Sequence, residues 1–256
     1  MSRAAETKRA WPELRPRLRA LADAVDGFES VADIATDHAL LAAALIVEGR
    51  ARHVIAIDKN EAPLRRASAT LAARAIVGVE LRRGDGFAPL SHGEAQAAVV
   101  AGIGGQLAAR LIGAGVPDGL DRLWLQVNSD HEHLRRVMAA AGWSLDDESL
   151  VESDGRIFTN LAYRRAPQPE TARWTPRDWT WGPHLRHERS PLYLRLRRRE
   201  RAAAMRVRVR LTGGATGTTP GASAGHRERL DALDAQLAEL ADELDETTGG
   251  PGSTLP

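Results

Sequence analysis

The chain has no cysteine among its 256 residues. That removes disulfides, thiolate metal sites and cysteine nucleophiles together, and it suits a reducing compartment. No apolar run is long enough to span a bilayer, and the first residues lack the uninterrupted apolar segment of a signal peptide. A soluble cytoplasmic protein without a membrane partner is therefore expected. Net charge is also scarce, because 35 basic and 34 acidic residues nearly cancel. Any attraction to nucleic acid must come from where the charges sit. A further absence is local. The turn Ala35-Thr36-Asp37 holds no glycine, whereas a dinucleotide pyrophosphate needs a glycine-rich turn for its charge to lie against.

What is present around that turn is a βαβ unit. The run Ser30-Val31-Ala32-Asp33-Ile34 reads as a strand, an apolar helical pattern runs from His38 to about Val47, and His53-Val54-Ile55-Ala56-Ile57-Asp58 reads as a second strand. In an open parallel sheet a ligand lies beyond the carboxyl ends of the strands, where Asp33, Asp37 and Asp58 fall. The spacing to Asp58 suits an acid that accepts from two ribose hydroxyls. Acids in place of bare amides repel a phosphate and suit a nucleoside with a cationic end, the description of S-adenosylmethionine.

Asp33-Ile34, Asp37-His38-Ala39 and Leu41 resemble the opening motif of the bacterial tRNA (adenine-N1)-methyltransferases that modify adenine 22, Asp-Ile-Gly-Ser-Asp-His-Ala-Tyr-Leu-Pro. Ala35 stands for the glycine, Leu40 for the tyrosine and Ala42 for the proline. Farther on, Ala101-Gly102-Ile103-Gly104-Gly105 is similar to the family's Ala-Gly-Met-Gly-Gly, and Gln126-Val127-Asn128 to its Gln-Pro-Asn. Gly182-Pro183 to Leu194 resembles its Gly-Pro…Leu…Glu…Pro…Leu pattern. The resemblance spans about Leu14 to Leu244. It implies an α/β fold, a class I methyltransferase Rossmann-like sheet, followed by a C-terminal α-helical hairpin of coiled-coil type. S-adenosylmethionine is the implied cofactor and tRNA the implied partner. Around the cofactor the resemblance puts Asp33, Ala35, Thr36, His38, Asp58, Lys59, Asp85, Gly86, Ala101, Gly102 and Gly104.

The rest of the chain fits a repeating β-α pattern. Leu14 to Val25 has helical apolar spacing with Arg15, Arg17 and Arg19 on other faces. That is an ordinary solvated face, or, in the family, a helix that covers cofactor or guides RNA, with Arg17 on the substrate. Glu61 to Ala75 reads as a helix with Pro63 in its first turn. Gly84-Asp85-Gly86-Phe87 follows a short strand at Val79-Arg82. It is either a plain Asp-Gly turn or the place where related enzymes hold the cofactor's adenine, with Phe87 over the ring. Ala97 to Ala101 has the apolar run of a central parallel strand, and the three glycines after it imply unusual backbone angles or a close neighbour. Asn128, at the end of a fifth strand, either reads a base edge or caps the helix starting near Ser129. His131 and His133 flank Glu132, but residues two apart on a helix point away from each other, so no metal is expected. Strands from Leu145 to Ser153 and Arg156 to Tyr163 flank the hairpin turn Asp154-Gly155.

Composition and the resemblance together imply four segments. Residues 1–10 are expected to be frayed, 11–166 to form the methyltransferase domain, 167–246 a helical hairpin domain with a flexible linker at 212–225, and 247–256 a disordered tail. Trp174, Trp179 and Trp181 suit anchors for a helix pair better than base stacking. The arginines from Arg195 to Arg210, including Arg198, form a local basic surface suited to phosphates. Leu230, Leu233, Leu237, Leu240 and Leu244 step by three and four and are expected to pack on Leu196, Ala203, Val207 and Leu211. A monomer or weak dimer is expected. Asp37 is the expected catalytic carboxylate, relieving the charged product ring; its other roles are cofactor binding or capping the helix at His38. Three functions follow in order: adenine-N1 methylation of tRNA, methylation of another substrate, and non-catalytic RNA binding.

Overall fold

The structure, a computed structural model, describes residues 14–166, 171–212 and 224–245. The expected frayed start, most of the linker and the tail from Thr247 lie outside those residues. The elements are α1 (Pro16–Ala24), β1 (Phe28–Ile34), α2 (Leu40–Val47), β2 (Ala51–Asp58), α3 (Glu61–Ala73), β3 (Val79–Arg83), β4 (Ala97–Ile103), α4 (Gly105–Gly113), β5 (Arg122–Val127), α5 (His131–Ala140), β6 (Trp143–Ser153), β7 (Arg156–Arg165), α6 (Pro176–Trp181), α7 (Pro183–Glu188), α8 (Pro191–Leu211) and α9 (Ala224–Asp245).

The strands form one seven-stranded sheet in the order β3-β2-β1-β4-β5-β7-β6. β1 to β5 pair in parallel, and β7 runs antiparallel to β5 and β6. This is the sheet of a class I methyltransferase, and the final hairpin is what separates it from a dehydrogenase-like sheet. Asp154 and Gly155 make its turn with φ of 50° and 72°, the left-handed pair that matches strand twist in a two-residue hairpin.

Central strands carry β-branched or small apolar residues on both faces because helices cover both. Ala97, Ala98, Val99 and Val100 are all at most 1% exposed. α2 is apolar all round, and its three alanines, Ala42, Ala43 and Ala44, are fully buried, which lets the helix lie close to the sheet. On one side of the sheet the core gathers α4 and α5 with Leu123, Leu125 and Trp143; on the other it gathers α1, α2 and α3 with Val31 and Val54.

Two local expectations are corrected. Phe87 is 3% exposed in the core among residues such as Leu90 and Leu111, and does not cover a ligand ring. An aromatic ring gains more from burial against the sheet than from an open rim. Asn128 does not cap α5. That helix starts at His131 with Asp130 preceding it at φ 57°, and no side chain caps it. Asn128 is exposed, and its backbone N–H donates to the carbonyl of Ile103 at 3.2 Å.

The chain separates into two compact units, Met1–His187 and Glu188–Pro256. Residues 171–187, which follow the expected boundary at 166/167, lie with the first unit. The physical reason is a buried charge. Arg135 on α5 donates to Glu148 on β6 at 2.6 Å and to the carbonyls of Trp179 and Thr180 at 2.9 and 3.2 Å. The other Glu148 oxygen accepts from the His184 backbone N–H at 3.2 Å. A Cβ on Gly182, which sits at φ 92°, would overlap that carboxylate. Trp174 meets Trp179 edge-on, Arg136 lies over Trp179, and Trp181 is buried, so the tryptophans anchor this segment.

In the second unit α8 and α9 form a hairpin with Leu240 fully buried and Leu230, Leu233, Leu237 and Leu244 half-buried. Ala204 is buried in place of the expected Ala203, one helical position being enough to turn a methyl group from one face to the next. Arg197 is also buried, so it does not join the solvent-facing cations. Glu243 is held inside by Tyr193 Oη at 2.7 Å and by Arg189 at 3.0 Å. Arg208 pairs with Asp234. Arg195 and Arg198 are exposed.

Candidate functional site

The sheet reverses its winding between β1 and β4, and the loops that follow β1, β2, β3 and β4 diverge there. Such a switch point leaves a crevice beyond the carboxyl ends of the strands. Here it is a cavity of about 410 Å³, within the size range of small-ligand sites. Asp33, Ala35, Thr36, Asp37 and His38 line it from the first loop, and Asp58, Lys59 and Asn60 from the second. Gly84, Asp85 and Gly86 line it from the third, Ala101, Gly102 and Ile103 from the fourth, and Arg17 and Leu18 from α1. Leu107 and Leu111 add an apolar wall.

Ten of the eleven residues assigned to the cofactor from sequence meet here, and Gly104 does not. It is the residue preceding α4, at φ −79° and ψ 155°, where the chain has already turned away from the cavity. The three glycines divide the work. Gly102 takes φ 77° beside open space, and Gly105 lies so close to the Ser129 carbonyl that a Cβ would overlap it. Asn128 does not line the cavity.

The first loop is bent by three left-handed residues without glycine: Ala35 at φ 60°, His38 at 58° and Ala39 at 51°. It is pinned at its base, where Asp33 accepts from Thr36 Oγ1 at 2.8 Å and Thr36 N–H donates to the Ile57 carbonyl at 3.0 Å. Asp33 is buried, and that burial pushes its carboxyl up to about 6 in spite of the donors at Thr36 and the Ala42 backbone. Asp37 is exposed and meets Arg66 of α3 at 2.9 Å and His38 Nε2 at 3.5 Å. Its expected alternative role as a helix cap is excluded, because α2 begins at Leu40 with Ala39 preceding it and no side-chain cap. Asp58 accepts from the Asn60 backbone N–H at 2.7 Å. Asp85 faces Arg110 through both oxygens at 3.2 and 3.3 Å, which holds its carboxyl below the usual range.

Sequence reading did not find Arg66 or Arg110. The two arginines reach the loop acids from 29 and 25 residues away, and no motif marks them. Gln126, the first residue of the match to Gln-Pro-Asn, is fully buried. Its Nε2 donates to the Arg17 carbonyl at 3.0 Å and to Asn160 Oδ1 at 2.7 Å.

The donor set is thus four carboxylates with an apolar wall, one of them buried, and a first turn without the glycines that receive a pyrophosphate. Those features fit a nucleoside bearing a positive charge and no phosphate. Residues 14–161 match the family described as a methyltransferase domain.

The chain belongs to the methyltransferase-domain family.

Over 152 residues this methyltransferase-domain chain is 31% identical to the tRNA (adenine(22)-N(1))-methyltransferase of Bacillus subtilis (strain 168). That stretch is 58% of this chain and 64% of the relative, so the chain spans just under two thirds of the curated relative that it matches. Among solved structures it is similar to the B. subtilis M1A22 tRNA methyltransferase TrmK, with TM-score 0.79 and 24% identity over 91% of this chain and 99% of that one. It is also similar to M. capricolum TrmK, a complex with the cofactor product S-adenosyl-homocysteine, with TM-score 0.72 and 16% identity over 89% of this chain and 97% of that one. Both likenesses show the fold. No helix among the described residues is long and apolar enough to cross a membrane, and no group of three or more His, Asp or Glu side chains among them is arranged to hold a metal.

Proposed function

We propose that this chain is an S-adenosylmethionine-dependent methyltransferase that modifies N1 of an adenine in tRNA, with adenine 22 as the assigned target. The observation that carries the cofactor class is the acid-lined cavity at the switch point with a first turn free of glycine. The nucleobase follows from the 31% identical B. subtilis relative. The reading implies a cytoplasmic enzyme, assigned as a monomer or weak dimer.

When bound, S-adenosylmethionine supplies an electrophilic methyl carbon on a cationic sulfur. The chain's own part is positional, since an in-line displacement depends on how well the reacting atoms are held. Asp58, at the end of β2, accepts from ribose hydroxyls. Asp85 accepts from an exocyclic amino group, and the buried Asp33 offsets a cationic end. Ala35, Thr36, His38, Lys59, Gly86, Ala101 and Gly102 complete the walls. Asp37, at the exposed rim, offsets the positive charge that an adenine acquires on N1 and accepts the amino proton it then sheds. Arg17, Asn128, Arg195 and Arg198 are assigned to the RNA. N1 is hidden in a base pair, so the target nucleotide has to be unpaired or turned out of the stack.

Incubation of the protein with an unmodified tRNA transcript and methyl-labelled S-adenosylmethionine tests this. Label recovered as 1-methyladenosine, and lost when adenine 22 is replaced by guanine, supports the proposal. A protein that leaves every tRNA unlabelled overturns it.

A further inference from the structure

Beside the mouth of the cavity two guanidinium groups share one aromatic ring. Arg17 of α1 lies over the ring of Phe158 at 5.9 Å and Arg156, at the start of β7, at 5.2 Å. Phe158 is 8% exposed, so the pair rests on an otherwise covered ring. Neither Arg17 nor Arg156 has a carboxylate within ion-pair distance among the described residues, although Arg15 and Arg19, two positions either side of Arg17, do. Arg15 pairs with Asp154 at 2.9 Å, and Arg19 with Glu48 at 2.6 Å. The Arg15–Asp154 pair also ties α1 to the β6–β7 turn.

Arg17 is gripped twice by one side chain. Gln126 Nε2 donates to its carbonyl at 3.0 Å, and its Nη1 donates to Gln126 Oε1 at 3.4 Å. Gln126 in turn donates to Asn160 at 2.7 Å, in register on β7. Burial first, then the like charge of Arg15, lower the Arg17 pKa; Asp154 and Asp37 oppose that shift from a distance and Arg156 adds to it. With no carboxylate at ion-pair distance, both guanidinium groups on the ring keep donors that an anion can take. Arg17 lines the cavity together with the acids, and Arg156 lies outside that lining.

We propose that Arg17 and Arg156 form a clamp for one backbone phosphate of the RNA beside the methylated nucleotide, with Gln126 as the residue that positions it. Guanidinium groups held on an aromatic ring present their donors in a fixed plane suited to phosphate oxygens. The proposal rests on the tRNA reading above and adds where the RNA backbone is gripped.

The test measures tRNA affinity of the full chain by fluorescence anisotropy across a KCl series, with calorimetry of S-adenosylmethionine binding run in parallel. Arg156→Ala is expected to weaken tRNA binding roughly tenfold and to flatten the slope of log K against log salt by about 0.7–0.9, one phosphate. Cofactor affinity is expected to stay unchanged. Arg17→Ala/Arg156→Ala should flatten the slope by no more than that single phosphate, because both cations serve it. Arg156→Lys should restore most of the slope. Gln126→Leu should raise KM for tRNA while kcat changes less. A wild-type protein that methylates tRNA while Arg156→Ala leaves the slope unaltered overturns the clamp and leaves the function standing. A wild-type protein that binds cofactor but no tRNA overturns both.

Discussion

Arg66 of α3 donates to the carboxylate of Asp37 at 2.9 Å, so the acid assigned to the reacting base is held from a different element. Asp37→Asn keeps the shape and removes the charge. Methylation of tRNA should fall by about 10²–10⁴ while the cofactor dissociation constant, measured by calorimetry, moves little. Equal losses in both would assign Asp37 to cofactor binding instead.

Asp33 makes the protein pH-sensitive in a stated direction. Burial raises its carboxyl from 3.8 to about 6, so between those values the folded chain holds a proton that the unfolded chain has released. Stability from this group is highest at low pH, declines as pH rises through the window, and levels above about 6, a change on the order of 2–3 kcal/mol. A cationic ligand favours the ionised carboxylate, so S-adenosylmethionine should bind more weakly as pH falls below about 6 and release protons on binding near that pH. Calorimetry in two buffers of different ionisation enthalpy measures that release, and Asp33→Asn should abolish it.

Ala35 occupies a left-handed conformation at φ 60°. For an alanine that costs about 1–2 kcal/mol, and the greater freedom of an unfolded glycine returns about 0.4–1 of it. Ala35→Gly should therefore stabilise the chain by up to about 1.6 kcal/mol, a Tm rise of a few degrees, with no loss of cofactor affinity. A fall in Tm would mean that the loop is relaxed as it stands.

The Arg135–Glu148 pair has side chains only 1% and 0% exposed. Glu148→Ala strands a buried guanidinium and should cost about 3–5 kcal/mol in chemical denaturation. Gly182→Ala, which needs a Cβ where that carboxylate lies, should destabilise too. Replacing both partners, Arg135→Met with Glu148→Leu, should cost much less than Glu148→Ala alone. An equal cost would mean that shape, and not the stranded charge, sets the penalty.

Much of the fold was legible because its signals are local. The apolar run at Ala97–Val100, the β-branched run at Val54–Ile57 and the Asp154-Gly155 turn each carry their own backbone preference. That Asp33, Asp58 and Asp85 line the cavity was legible because each lies at or just after the end of a strand, and a parallel sheet gathers such ends on one edge. Gly104 and Asn128 lie outside the lining of the cavity for the same reason: ending a strand puts a residue near the edge but does not aim it into the cavity. Phe87 failed differently, since the sequence cannot say which side of its turn meets the core.

The order of residues alone thus determined which segments become strands and helices, that the first turn cannot cradle a pyrophosphate, and which acids reach the carboxyl edge. These depend on neighbours a few positions apart. Only the tertiary structure decided that Arg66 holds Asp37, that Gln126 grips Arg17, and that Arg135 ties residues as far as His184 to the first unit. A buried donor must find an acceptor wherever the fold brings one, and separation along the chain does not restrict that choice.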